Sequence, residues 1–302
     1  MLLRRILISG GSGFVGNAIT QLFTASNDEV FILTRGEKKS NHPKIKYVQW
    51  MNGNNAAEQE LPQIDAVINL AGETINGRWT SEKKQAILNS RLKATEELLS
   101  IVKKMDTPPR VWINASAIGY YGTSQSKVFT EAEETHGTDF LAEVVKAWET
   151  KAKEASSIGC RTVITRFGLI LGKDGGVLPQ LTLPYRFFAG GTVGSGNQWV
   201  SWIHIDDVAR LMKETFDNEG YSGPVNAASP NPVTMKEFGE IIGGVLKRPH
   251  WLPAPSFMFK LVFGEMSMLI LKGQQVLPEK AMDNGFTFKY PNLKRALQDL
   301  LQ

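Results

Sequence analysis

Arg5-Ile6-Leu7-Ile8-Ser9-Gly10-Gly11-Ser12-Gly13-Phe14-Val15-Gly16 decides the fold of this chain. An apolar run at 5–9 reads as a buried strand. It breaks at a glycine turn, and a helical pattern opens at 14 and runs to 25. Gly10 permits the tight turn, Gly13 lets a phosphate approach bare backbone, and Gly16 lets the helix close onto the sheet. The free N–H groups and partial positive charge of the helix start then face that phosphate. Strand, glycine turn and helix in this order predict a dinucleotide site built on Gly10, Gly13, Phe14, Val15 and Gly16.

Outward from this unit the chain keeps alternating. Strands are expected at 29–34, 46–50, 65–70, 111–115 and 162–166, and helices at 80–104 and 139–156. Apolar strands alternating with helices indicate a parallel sheet covered on both faces, so the fold class is α/β, a doubly wound Rossmann sheet. After Arg166 glycine and proline become frequent, which marks a smaller α/β substrate lobe. The expected division is a dinucleotide domain over 1–166, with 200–228 packing onto it, and a substrate lobe with a C-terminal extension over 167–302. The most apolar stretch, 257–271, reads as a core-packed or lobe-capping helix, with a membrane or partner surface as the alternative.

Composition excludes several functions. The formal charge of +4 comes from 34 basic and 30 acidic residues without a block of like charge, so no nucleic-acid partner is expected. Cys160 is the sole cysteine, which rules out an internal disulfide or a thiolate zinc cage and suggests a cytoplasmic protein. His42, His136, His204 and His250 show no metal-ligand spacing, so no metal is expected. The apolar, basic start is too short for a signal peptide, and no apolar run is long enough to span a membrane, so no membrane partner is expected.

The end of the second strand selects the dinucleotide. Leu33-Thr34-Arg35 stands where an NAD site carries a carboxylate for the adenosine ribose. A carboxylate repels a 2′-phosphate, whereas Arg35 grips it in a charge-assisted pair, so NADP(H) is the expected cofactor. Leu70, Ala71 and Gly72 are small enough at the end of the fourth strand for a ribose to lie against them.

Further motifs follow: Asn69-Leu70-Ala71-Gly72-Glu73, Gly77-Arg78-Trp79, Asn89-Ser90-Arg91, Ser116-Ala117-Ile118-Gly119-Tyr120-Tyr121-Gly122, Gly194-Ser195-Gly196-Asn197-Gln198, Ser201-Trp202-Ile203-His204-Ile205-Asp206-Asp207 and Gly285-Phe286-Thr287-Phe288. Together they resemble the extended short-chain dehydrogenase/reductase superfamily in its NAD-dependent epimerase/dehydratase branch. Within it they resemble an atypical epimerase-like subfamily with a C-terminal extension of unknown function. The resemblance covers essentially the whole chain. It implies an NADP-binding oxidoreductase or epimerase acting on a small molecule. It also implies a possible homodimer paired through the helices at 80–104 and 139–156.

The same resemblance implies a tyrosine and a lysine four residues apart that move the substrate proton. This sequence departs from that pattern. No tyrosine occurs in 139–156, and Ala142 stands four residues before Lys146. Ala117 takes the usual hydroxyl position, with Ser116 one residue early, and Arg91 replaces a supporting asparagine. Tyr120, Ser116, Lys146 and Arg91 are therefore the candidate catalytic groups. Arg78, Gln198 and Trp199 are the candidate cleft residues, with Glu73 nearby, and the arginines suit an anionic substrate. His204 and Asp206 read as a structural pair. Two readings stay open: an enzyme with an atypical site, or an NADP(H)-binding regulator without turnover.

Overall fold

A computed structural model describes residues 3–52, 57 and 60–302, apart from the side chains of residues 258, 262 and 263. Met1 and Leu2 of the apolar start lie outside the described residues. Seven strands form one sheet: β1 (Arg5–Ser9), β2 (Glu29–Thr34), β3 (Ile45–Gln49), β4 (Ala66–Asn69), β5 (Val111–Ala117), β6 (Arg161–Phe167) and β7 (Gly223–Ala227). Their order is β3-β2-β1-β4-β5-β6-β7 and every pairing is parallel. The order reverses between β1 and β4, which opens a crevice beyond their carboxyl ends.

Both faces of the sheet are covered. The longer helices are α1 (Phe14–Ala25), α2 (Ser81–Lys103), α3 (Phe140–Ala152), α4 (Leu178–Arg186), α5 (Ile205–Asp217), α6 (Met235–Leu246) and α7 (Leu293–Leu301). Ile19 and Phe23 of α1 and Val208, Leu211, Met212 and Phe216 of α5 pack on Ile6, Ile8, Val30 and Ile32. On the opposite face Ala94, Leu98, Leu99 and Val102 of α2 cover Leu7, Val67 and Trp112. Each such side chain gains about 1.5–3 kcal/mol on burial, and the alternating strand faces divide that gain between two cores. A third core joins Tyr185 of α4, Phe238 and Ile242 of α6, and Leu293 and Leu297 of α7 around Trp202. Residues 205–227, carrying α5 and β7, thus return the chain to the first sheet after the lobe has begun.

Local chemistry sets the helix starts. The side chains of Thr80 and Asp139 accept the first-turn N–H groups of α2 and α3. Thr234 and Glu237 close a reciprocal capping box at α6. Boundaries shift slightly from expectation. β5 runs two residues further, to Ala117, and the helix expected at 139–156 turns into a tighter helix at Lys153–Ile158.

The apolar stretch at 257–271 departs more. It breaks into Ser256–Phe263, Gly264–Ser267 and Met268–Leu271, because Gly264 at φ +58 cannot continue a helix. Met266 packs against Trp79, Ile87 and Val144, but Phe257, Leu261 and Leu269 are exposed. The segment caps α2 and α3 along one edge through Met266 and Met268. Exposed residues of α2 and α3 include Glu82, Gln85, Ala86, Glu96, Glu97, Glu143 and Lys146, with Leu88, Leu92 and Leu141 half-buried beside them.

Candidate functional site

The glycine turn has the geometry its sequence demands. Gly10 sits at φ +70, and a Cβ on it would lie 2.9 Å from the Leu70 carbonyl. A Cβ on Gly16 would lie 2.4 Å from the Gly10 carbonyl oxygen, so α1 closes directly onto the turn. Gly13 differs: a Cβ there would meet the Gly10 oxygen at 3.2 Å and otherwise open space. Gly13 also caps α1 without a side-chain bond, leaving the first-turn N–H groups facing outward. These residues fit a pyrophosphate against bare backbone. Phe14 and Val15 begin the helix. Cβ atoms on Gly172, Gly175 and Gly176 would fall 2.3, 2.4 and 3.2 Å from the Phe14 ring, so this glycine loop closes directly onto it.

Beside the turn, a buried polar lattice fixes the strand ends. Ser9 Oγ donates to Asn69 Oδ1 at 2.7 Å, and Asn69 Nδ2 donates to Asn114 at 2.7 Å and to Thr95 at 2.9 Å. Trp148 Nε1 donates to the same Thr95 hydroxyl at 3.0 Å. This lattice ties β1, β4 and β5 to α2 and α3 just below Leu70, Ala71 and Gly72. Of its members the sequence motifs include Ser9 and Asn69 alone; a second asparagine, Asn114, in a largely apolar strand is the signal that points to the rest.

Arg91 lies directly behind that loop. Its Nη1 donates to the carbonyls of Glu73 at 3.1 Å and Ile87 at 2.9 Å, and a Cβ on Gly72 would lie 3.1 Å from its Cζ. Burial lowers its pKa to about 10, partly offset by Glu73, so it stays cationic at neutral pH. Arg91 therefore braces the backbone at 72–73 while keeping a positive charge there. The Glu73 carboxylate pairs with Lys83 at 2.8 Å, which lowers its pKa first, with Arg35 and Arg91 adding smaller pulls. Arg35 itself is exposed just past the end of β2.

The tip of β5 holds a second buried cluster. Glu149 on α3 accepts Arg166 Nε and Nη2, both at 2.8 Å, and the Ser116 hydroxyl at 2.6 Å. Arg166 is 3% and Glu149 2% exposed, so this ion pair is inside the protein. Burial opposes the Arg166 charge, but the Glu149 bonds outweigh it and hold its pKa above the ordinary value. The guanidinium stacks 3.6 Å from the Tyr120 ring centre, while the Tyr120 hydroxyl donates to the Glu134 carbonyl at 3.0 Å. Tyr121 donates to Asn226 at 2.8 Å.

This cluster separates the expected catalytic groups. Ser116 faces inward and its hydroxyl is committed to Glu149. Lys146 projects from the exposed side of α3, because the side turned to the sheet carries Ala142, Val145 and Glu149. Tyr120 and Arg91 remain near the strand tips.

The expected cleft residues also divide. Gln198 is 3% exposed, and its amide donates to the carbonyls of Val193 and Ile270, so it anchors the C-terminal extension instead of lining open space. Trp199 donates to the Gln125 carbonyl at 3.0 Å and pins that loop. Arg78 is exposed beside Gly264 of the extension. His204 is structural: its Nδ1 accepts the Asp206 N–H at 3.0 Å, and its ring stacks on Tyr290. Its partner is thus the Asp206 backbone, since the Asp206 carboxylate pairs with Lys289.

A cavity of 440 Å³ lies at the opposite, amino-terminal edge of the sheet, lined by Arg4, Arg110, Arg161 and Phe216. Its arginines are largely engaged. Arg4 binds Asp28 and Asp217, and Arg161 binds the carbonyls of Thr215, Phe216 and Tyr221. Among the described residues there is no group of acidic, histidine or cysteine side chains able to hold a metal ion, and no helix long and apolar enough to cross a membrane.

Known proteins share this architecture. The NAD dependent epimerase/dehydratase family matches residues 6–227, and a domain of unknown function, DUF1731, matches residues 254–300. The epimerase family protein YfhF of Bacillus subtilis (strain 168) is 47% identical over 296 residues, covering 98% of this chain and 97% of that protein. The crystal structure of human epimerase family protein SDR39U1 (isoform2) with NADPH is 31% identical, covers 98% of each chain and superposes with a TM-score of 0.87. UDP-glucuronic acid 4-epimerase from Bacillus cereus, solved with UDP-glucuronic acid and NAD, reaches a TM-score of 0.79 at 15% identity over 98% of each chain. That last likeness is one of fold alone.

Proposed function

The chain belongs to the NAD dependent epimerase/dehydratase family, and on that premise we propose that it binds NADP(H) and acts on a small anionic molecule as an oxidoreductase or epimerase with an atypical proton-transfer site. The observation that carries this reading is the open face of Gly13 at the start of α1, flanked at the end of β2 by Arg35 where an NAD site has a carboxylate. The human relative solved with NADPH supports the same choice of dinucleotide.

In this reading the N–H groups at Gly13, Phe14 and Val15 bind the pyrophosphate, and the bare Gly10 and Gly16 let the turn close beneath it. Arg35 takes the 2′-phosphate, and the backbone at Leu70, Ala71 and Gly72 supports a ribose. When bound, the nicotinamide exchanges hydride with a substrate carbon. Arg91 holds the 72–73 backbone in place and adds a fixed positive charge near the reacting end. Tyr120 stands at the tip of β5 with its ring clamped by Arg166. Its hydroxyl donates a hydrogen bond to the Glu134 carbonyl, which leaves the oxygen lone pairs to accept a hydrogen bond from a substrate hydroxyl. Arg78 supplies a second exposed cation for an anionic substrate.

The inward Ser116 and outward Lys146 also favour a second reading, an NADP(H)-binding regulator without turnover. Nicotinamide absorbance, followed with NADPH and a panel of carbonyl and sugar-nucleotide compounds, separates the two. Turnover that Tyr120→Phe abolishes supports the enzyme. A blank panel, with a partner retained on immobilised protein in the presence of NADPH and lost without it, supports the regulator.

A further inference from the structure

Twelve large apolar side chains stand exposed among the described residues, and eight of them fall within 183–269. Five build one surface on the second lobe. Leu183 and Phe187 lie one helical turn apart at the end of α4, so they share a face. Phe188 follows, joined to Trp251 by the indole N–H, which donates to the Phe188 carbonyl at 2.9 Å. Leu252 donates its N–H to the Gly190 carbonyl and completes the patch. Phe187 is 75% and Trp251 68% exposed, values of rings that stand out from the surface. Phe188 adopts φ +60, a left-handed backbone that a bulky aromatic residue rarely takes.

The charge nearest these rings is mainly positive. Segments 175–200 and 235–264, which build the surface, contain Arg186, Lys236, Lys247, Arg248 and Lys260 against Glu237 and Glu240, and Glu240 pairs with Lys236 on α6. Arg186, Lys247 and Arg248 are exposed, and the Arg248 guanidinium lies 4.5 Å over the Phe188 ring. This pattern argues against a second copy as the occupant. A two-fold contact would set Arg186, Lys247 and Arg248 against their own copies, and the adjacent Glu240 is already paired with Lys236. Protruding aromatic rings with a basic rim match the headgroup layer of a membrane, where rings enter the acyl boundary and cations meet acidic lipids.

We propose that the face formed by Leu183, Phe187, Phe188, Trp251 and Leu252, with Arg186 and Arg248 at its rim, docks peripherally onto an anionic phospholipid surface. The face belongs to the second lobe and is independent of the NADP(H) reading. Each basic residue near such a surface contributes about a fivefold factor to partitioning.

Sedimentation of the full-length protein with vesicles of phosphatidylcholine, alone or mixed with phosphatidylserine, tests the proposal. The protein is expected to pellet with the mixed vesicles, to remain in solution with the neutral ones, and to be released as salt rises. Arg186→Glu combined with Arg248→Glu lowers partitioning by about 25-fold or more, and Phe187→Ser combined with Trp251→Ser by at least about tenfold. The charge reversal alters exposed side chains alone, and near-ultraviolet circular dichroism and NADPH titration confirm its fold. Folded protein that stays in solution with the mixed vesicles overturns the proposal, as does a charge-reversed variant that binds like its parent. Concentration-dependent self-association abolished by the Phe187 and Trp251 replacements also overturns it, and assigns the face to a second copy.

Discussion

Replacing Glu149 with glutamine keeps its shape and removes the counter-charge of a guanidinium that is 3% exposed. The Arg166 bonds at 2.8 Å become neutral and at least one is lost, since an amide offers a single carbonyl oxygen. Breaking a buried ion pair from one side costs about 3–5 kcal/mol, because the remaining charge stays desolvated. That is a large part of the roughly 5–15 kcal/mol that holds a typical protein folded. At about 2 °C per kcal/mol for a chain of this length, Tm falls by about 6–10 °C. Arg166→Met in the Glu149→Leu background removes both charges and recovers most of the loss. Denaturant midpoints for the parent, each single variant and the double variant give the coupling energy. Lys146→Ala, on the exposed side of the same helix, serves as the control and shifts stability by less than about 0.5 kcal/mol. A Glu149→Gln variant within about 0.5 kcal/mol of the parent, or a double variant no better than the single, refutes the view that this buried pair holds α3 to the sheet.

Other outcomes follow from single atoms. Gly13→Ala meets only the Gly10 carbonyl oxygen, at 3.2 Å, so the midpoint falls little while NADPH affinity, measured by fluorescence titration, drops at least about tenfold. Gly16→Ala meets backbone at 2.4 Å and lowers stability as well, and equal midpoints for these two variants contradict the packing described. Burial depresses the pKa of His204, against pulls from Asp206, Asp299 and Asp207, and His250 is depressed by the same cause. Their contribution is complete above the unfolded value of about 6.5 and is lost as pH falls through the lowered folded values. Urea midpoints between about pH 8 and about pH 5 should therefore decline. His204→Asn keeps an acceptor for the Asp206 N–H and should flatten that decline, and an unchanged slope would remove His204 as a cause.

The first sheet was legible because its strands are apolar throughout and its helices carry caps or glycines at their starts. β1, α1 and β2 fall where their residues predict, and the roles of Gly10 and Gly16 follow from steric rules that act within a few residues. The chemistry at the tip of β5 was less legible for a matching reason. Whether Ser116 or Ala117 turns inward depends on strand register, and Lys146 is carried outward by helix phase. Glu149 and Arg166 lie 17 residues apart and meet through α3 packing on β5 and β6, which no local pattern announces. Gln198 looked like a cleft residue from its glycine-rich setting. Its burial comes from the Ile270 carbonyl, supplied from far along the chain. The apolar run at 257–271 reads as a core-packed or lobe-capping helix; Met266 does cap α2 and α3, but Gly264 breaks the helix and Phe257, Leu261 and Leu269 face outward.

Side-by-side titration of NADPH and NADH against the parent and Arg35→Ala tests the cofactor assignment most directly. Charge-assisted bonds to the 2′-phosphate are each worth about 1.5–3 kcal/mol, so the parent should bind NADPH about 10- to 100-fold more tightly than NADH. Arg35→Ala should remove most of that margin and leave NADH affinity unchanged. Equal affinities in the parent, tighter NADH, or a margin that survives Arg35→Ala would contradict it.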